Sequence, residues 1–280
     1  MTLYGLPLLF VVVLWWASTG AMLYLIGLPR RSHRWCMIAA TLVLLAAMLG
    51  LVESGKHATV GGAYAGFACA LLIWGWHELS FLGGFVTGPR TSECVERKRG
   101  RARFWQAAET VIYHEFAILI TAAIIGVLQA SSANRTGLWT FLVLWIMRLS
   151  AKLNVYLGVP NLTEGFLPPH LAYLKGYFCR QPMNMLFPVS VTTATVVLAA
   201  LVISAAGSAH DPFAATEATL VATLLALAVL EHWLLVLPLP SEALWSWGLK
   251  SRRLDMPDQP SSNRAPEALG PPPRPLPSPA

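Results

Sequence analysis

The stretch GGAYAGFACALLIWGWHELSFLGGFV at residues 61–86, followed at once by TGPRTSECVERKRGRAR at residues 87–103, decides how this chain folds. The first part carries no Lys, Arg or Asp, and its one acid, Glu78, stands beside His77. At 1.5 Å per residue such a helix covers about 39 Å, more than the roughly 30 Å of hydrocarbon in a bilayer. Its apolar residues are continuous rather than alternating, so it reads as a spanning helix and not as a barrel strand. The second part carries Arg90, Arg97, Lys98, Arg99, Arg101 and Arg103, and a connection so basic belongs on the cytoplasmic face.

The same pattern repeats in both directions. Apolar spans are expected at about 3–28, 36–53, 61–86, 104–130, 137–157, 185–207 and 214–238. The connection 29–35 holds Arg30, Arg31 and Arg34, the connection after the fifth span Lys175 and Arg180, and the end of the chain Lys250, Arg252 and Arg253. Between them, the intervening connections hold only Lys56 and Arg135. Every second connection is basic, which predicts an all-α polytopic bundle of about seven transmembrane helices, N-terminus periplasmic and C-terminus cytoplasmic. The expected location is the bacterial cytoplasmic (inner) membrane, with lipid as the constant partner.

Composition agrees. Of 280 residues 55% are hydrophobic and 12% charged, with mean hydropathy +0.56. About 25% charged is usual for a soluble domain, so this chain cannot coat a soluble surface. The net charge of +6 sits in the loops as a topology signal, and no nucleic-acid partner is expected. Residues 1–28 lack a leading Lys or Arg and are too long for a signal-peptide core, so they read as a retained helix. Cys36, Cys69, Cys94 and Cys179 show no CxxC spacing and no disulfide framework.

The bundle is expected to occupy residues 1–254. Within it, residues 158–184 are too polar to span and too apolar for a plain loop, which predicts an interfacial segment. Pro169 would open a short helix there, with Leu171, Leu174 and Phe178 turned to lipid or bundle and Tyr173 and Tyr177 in an aromatic belt. Trp15, Trp16, Trp245 and Trp247 read as belt anchors as well. Residues 255–280 are rich in Pro and Ser and read as a disordered tail.

Ionisable groups inside a span are costly and usually functional. Three spans carry a His beside a Glu: His77-Glu78, His114-Glu115 and Glu231-His232. Counting from the expected cytoplasmic ends gives depths of about 12–14 Å, 15–17 Å and 10 Å respectively, with Glu109 at about 8 Å and Arg148 at about 13 Å. These groups share one layer. Glu109 and Tyr113, four residues apart, would lie on one helix face, where the phenol could hydrogen-bond the carboxylate. Four carboxylates against Arg148 and Lys152 leave the layer short of positive charge. Either carboxylates hold protons, or His residues are charged, or a divalent metal enters. His and Glu together suit iron, manganese or zinc, with His77, Glu78, Glu109, His114, Glu115, Glu231 and His232 as ligands and Arg148 and Tyr113 as charge partners. The Glu-x-x-His spacing of carboxylate-bridged bundles is absent, and so is HExxH. A protonatable network and plain helix-to-helix hydrogen bonding remain the alternatives. No spacing singles out a His for the magnesium of bacteriochlorophyll. Trp74 and Trp76 could wall a flat pocket or simply pack in the core.

WGWHELSFLGGFVTGPR (74–90), RLSAKLNVYLGVPN (148–161), FLPPHLAYLKGYF (166–178) and NMLFPVS (184–190) together resemble the PuhE-type family of photosynthetic complex assembly proteins of purple bacteria. The resemblance covers roughly residues 3–250. It implies a role in assembling or accumulating the reaction centre and core light-harvesting complex, with those subunits and other assembly factors as partners and pigment handling as one route. It supplies no catalytic residues, and whether the chain is an enzyme stays open. A membrane metalloenzyme acting on a quinone, pigment precursor or lipid is the alternative. A transporter is disfavoured by the lack of internal repeats.

Overall fold

The computed structural model describes residues 2–93, 100–162, 164–239 and 241–251. These form nine α-helices: α1 Thr2–Ile26, α2 Arg30–Gly55, α3 Val60–Leu82, α4 Gly100–Ala108, α5 Ile112–Leu128, α6 Thr136–Leu157, α7 Leu186–Gly207, α8 Pro212–Leu234 and α9 Ser246–Leu249. No strand occurs among the described residues. The expected Pro-rich tail, Cys94, and the basic residues Arg97, Lys98, Arg99, Arg252 and Arg253 lie outside them.

Six helices, α1, α2, α3, α6, α7 and α8, are long and apolar enough to cross a membrane, and α4 with α5 makes a seventh if the bent pair counts as one span. The far end of α5 meets the end of α2 and the start of α6. Gln129 Nε2 donates to Leu51 O at 3.4 Å, and Gln129 Oε1 accepts from the Leu138 amide at 2.9 Å. Beside it Asn134 Nδ2 donates to Ser54 O at 2.9 Å. A segment that turned back would end at the other face, so α5 traverses the bundle.

α3 and α8 form the centre, each with 50% of its apolar window buried, while α2 and α7 have 11% and present their faces outward to lipid. α1 packs on α8 and α3, α2 on α3, and α7 on α8. One end of the bundle carries Arg30, Arg31, Arg34, Arg90, Arg101, Arg103, Lys175, Arg180 and Lys250 among the described residues, and the other Lys56 and Arg135.

The fourth span departs from the expected continuous helix. α4 and α5 meet at 66°. The chain after α3 crosses the break and takes its hydrogen bonds: Arg90 N donates to Glu109 O at 3.3 Å and His114 N to Thr87 O at 3.0 Å. Both groups would otherwise serve the helix ladder. Gly88 makes the approach possible, because a Cβ there would lie 2.0 Å from Glu109 O.

Two aromatic expectations are also corrected. In the 3-10 segment Pro169–Tyr177, Tyr173 and Tyr177 are buried with Leu171, Leu174 and Phe81 in one cluster instead of standing in a belt. The segment has too much apolar surface to float in headgroups, and Phe81 with its partly buried neighbours Ala107 and Val111 offers a floor. Likewise residues 241–251 fold back on α1. Trp245 Nε1 donates to Trp16 O at 3.1 Å and Trp16 Nε1 to Leu244 O at 3.0 Å, which satisfies both indoles inside the protein. Trp247 lies against Trp16 at 5.4 Å.

Candidate functional site

α3, α5, α6 and α8 bring their polar residues toward one layer, and the charges there pair. Arg148 Nη2 donates to Glu78 Oε2 at 3.0 Å, and Lys152 Nζ to Glu115 Oε1 at 2.6 Å. Arg148 and Lys152 are four residues apart, hence on one face of α6, which lets one helix neutralise acids from two others. Glu115 Oε2 also accepts from Trp145 Nε1 at 3.3 Å, and Glu231 Oε1 accepts from Trp15 Nε1 at 2.7 Å.

Glu109 does not join the layer. It sits at the α4–α5 bend, 44% of its side chain exposed, and takes Arg90 Nε at 2.7 Å. That hydrogen bond raises the pKa of the Arg90 guanidinium. Tyr113 points outward, 56% exposed. The helix breaks between the two residues, so the four-residue spacing does not place the phenol over the carboxylate. The charge account changes with it: three carboxylates, Glu78, Glu115 and Glu231, face two cations, Arg148 and Lys152. The shortage shrinks to one charge.

The histidines separate by their ring nitrogens. His232 uses both: Nδ1 lies 2.9 Å from Ala228 O and Nε2 2.9 Å from Ser150 Oγ. A carbonyl can only accept, so Nδ1 carries the proton and Nε2 accepts from the hydroxyl. This His locks α8 to α6. His77 Nε2 is 3.0 Å from Thr121 Oγ1, while His77 Nδ1 and both nitrogens of His114 are buried with no partner among the described residues. The rings of His77 and His114 are 6.3 Å apart, and His114 lies 4.7 Å from Phe81. Among the described residues no three His, Cys, Asp or Glu side chains come together as metal ligands would. The seven expected ligands thus divide into three ion-paired acids, one acid held by an indole, one helix lock and a buried imidazole pair.

The layer borders a cavity of about 560 Å³. Glu78, Arg148, Glu115, Lys152, Glu231 and His232 line its polar part, and apolar walls come from α1, α3, α6 and α8, with α4, the start of α5 and the 3-10 segment Pro169–Tyr177 closing one end. Trp74 lines it, whereas Trp76 turns to α2 and donates to Thr41 Oγ1 at 3.0 Å. Trp15, Thr121, Trp145 and Ser150 are functional neighbours that the sequence does not flag. Trp15 is 216 residues from Glu231, and no spacing links them.

The family model described as "Protein of unknown function (DUF3623)" matches residues 1–255. The chain is 37% identical over 244 residues to a protein of Rhodobacter capsulatus described as an uncharacterized 30.4 kDa protein in the puhA 5′ region, an alignment covering 86% of this chain and 89% of that one. No solved structure matches the chain.

Proposed function

We propose, from the premise that this chain belongs to the DUF3623 family, that it is a multi-pass membrane factor for assembly or accumulation of the photosynthetic reaction centre and its core light-harvesting complex. The observation that carries the reading is the relative encoded in the puhA 5′ region, joined to the PuhE-type strings at residues 74–90, 148–161, 166–178 and 184–190. The molecule suits such work in two respects. The outward apolar faces of α2 and α7 offer intramembrane surface to partner subunits, and the cavity offers space for a small hydrophobic component held until it is needed. Its location is the bacterial cytoplasmic membrane, with the basic end inward.

The test is deletion of the gene in a purple bacterium that carries it. Reaction-centre and core-antenna absorbance per membrane protein should fall severalfold and return when the chain is restored. Unchanged absorbance would refute the proposal.

One observation favours a second reading, a membrane metalloenzyme: His77 Nδ1 and both nitrogens of His114 are buried and have no partner among the described residues. On that reading they hold a metal with ligands the chain would have to bring closer. Elemental analysis of detergent-purified protein decides it, since the reading requires stoichiometric iron, manganese or zinc that is lost in a His114→Phe variant.

A further inference from the structure

The cavity states what kind of guest it takes. Its 560 Å³ falls within the roughly 300–1,000 Å³ of small-molecule sites. Two of its lining residues, Phe104 on α4 and Leu149 on α6, are 42% and 36% exposed. The cavity lies among helices long and apolar enough to cross a membrane, so its guest arrives from lipid.

The polar part defines the head. Glu78 with Arg148 and Glu115 with Lys152 neutralise each other, and Glu231 adds one further carboxyl group, so the lining holds three acids against two bases. An anionic head, phosphate or fatty-acid carboxylate, would place a second uncompensated charge beside Glu231 in a poorly screened space. A purely apolar guest fails for the opposite reason. Arg148 keeps 44% of its side chain open while donating to Glu78, and Glu231 accepts one hydrogen bond, from Trp15, among the described residues. Covering these groups without partners leaves their lost hydration uncompensated. The head must be neutral and must both donate and accept.

The walls define the rest. Trp15, Trp74, Phe81 and Trp245 line the cavity and offer ring faces and edges to a flat head, while Phe67, Leu224 and Val11 continue as an apolar sleeve. A magnesium tetrapyrrole also has a flat head, but it seeks an axial ligand. His232 is the one of the three acid-neighbour histidines that lines the cavity, and both its nitrogens are engaged.

We propose that the cavity between α1, α3, α6 and α8 binds an isoprenoid hydroquinone from the membrane, its hydroxyl donating to Glu231 and its oxygen accepting from Arg148. The oxidised quinone offers acceptors alone and leaves Glu231 unmet, so the reduced form binds preferentially. The inference rests on the reading of the cavity as a holding site and not on which complex the chain helps to build.

The test uses the full chain in nanodiscs doped with decylubiquinol or decylubiquinone, reading the thermal unfolding midpoint against ligand content. The quinol should raise the midpoint saturably, and half-saturation should need at least fivefold more of the quinone. Glu231→Gln should weaken quinol binding about tenfold, because a charge-assisted acceptor is lost. Gly75→Leu should abolish it: Gly75 lines the cavity, and a Cβ there meets only Met22 Cε at 3.9 Å, so the larger side chain fills the space without striking backbone. Glu217→Gln, at the opposite end of α8 beside Thr136, should bind as the unaltered chain does. The proposal is overturned if quinol gives no saturable shift, if quinone binds as tightly, or if Gly75→Leu with an unchanged unliganded midpoint still binds. Loss of photosynthetic complexes on deletion with no quinol binding would overturn this site and leave the assembly role standing. Quinol binding with no deletion phenotype would do the reverse.

Discussion

Trp15 Nε1 donates to Glu231 Oε1 at 2.7 Å, joining the first helix of the bundle to its last spanning helix at an acid within the membrane. The same indole packs edge-on against Trp245 at 5.1 Å, so one side chain ties together α1, α8 and the C-terminal fold-back. Trp15→Phe keeps the ring contact and removes the donor. It should cost about 1–2 kcal/mol, seen as a lowered unfolding midpoint in detergent. Combining it with Glu231→Leu should cost less than the two single changes added together, since each alone strands the other's partner. Strict additivity would show that the bond contributes nothing.

Lys152 and Glu115 form the more enclosed of the two ion pairs of the layer, with side chains 23% and 19% exposed. Lys152→Met leaves Glu115 with the Trp145 indole as its polar partner. A loss of about 3–5 kcal/mol is expected, with a matching fall in the amount of chain in the membrane. Lys152→Met with Glu115→Leu should recover most of it, because two apolar side chains need no pairing. Recovery measured by membrane yield and unfolding midpoint checks this.

His170, in the 3-10 segment, accounts for a pH dependence. Burial first, then the fields of Arg30 and His33, lower its pKa from the ordinary 6.5, while its hydrogen bond to Leu82 O opposes the change. The folded chain therefore holds His170 neutral over a range where the unfolded chain protonates it. Its contribution to stability is complete above about pH 6.5 and declines as pH falls below that value toward the lowered one. His170→Gln should flatten the unfolding midpoint between pH 7 and pH 5 relative to the unaltered chain. Parallel pH profiles would remove His170 from the account.

Glycine at 88 is required by backbone and glycine at 20 by a side chain. A Cβ at Gly88 would sit 2.0 Å from Glu109 O, whereas a Cβ at Gly20 would sit 1.9 Å from the Trp247 ring. The indole can move and the carbonyl at the α4–α5 bend cannot move freely. Gly88→Ala should therefore cost more than Gly20→Ala, each within the 1–3 kcal/mol typical of overpacking, and Gly5→Ala, with nothing within 4 Å, should be neutral. Unfolding midpoints of the three variants give the order.

Much of the fold is legible in the sequence because the bilayer admits few solutions. The expected spans at 61–86, 137–157 and 185–207 meet helices Val60–Leu82, Thr136–Leu157 and Leu186–Gly207 with small differences at the ends. The fourth span, read as 104–130, fails where the loop at residues 87–90 competes for its hydrogen bonds, a long-range event that no local pattern of Glu109, Thr110 and Val111 announces. Tyr173, Tyr177 and Trp245 read as belt residues because composition cannot tell an aromatic ring facing headgroups from one facing a cavity.

For the site, depth was legible and direction was not. Of His77, Glu78, His114, Glu115, Arg148, Glu231 and His232, Glu78 meets Arg148 and His77 lies beside His114 across helices, contacts that need like heights, and 1.5 Å per residue sets height once the ends are known. Each residue also turns about 100° around its helix, and the rotation and order of helices come from packing. By itself the sequence determined an all-helical membrane bundle with charge gathered at one end, because hydrocarbon leaves no alternative for such apolar runs. Only the tertiary structure decided that Glu78 meets Arg148, that Glu115 meets Lys152, that Glu109 leaves the layer for Arg90, and that Glu231 faces a cavity. In a medium of low dielectric each charge takes the nearest opposite partner that packing presents, and packing is not written in hydropathy.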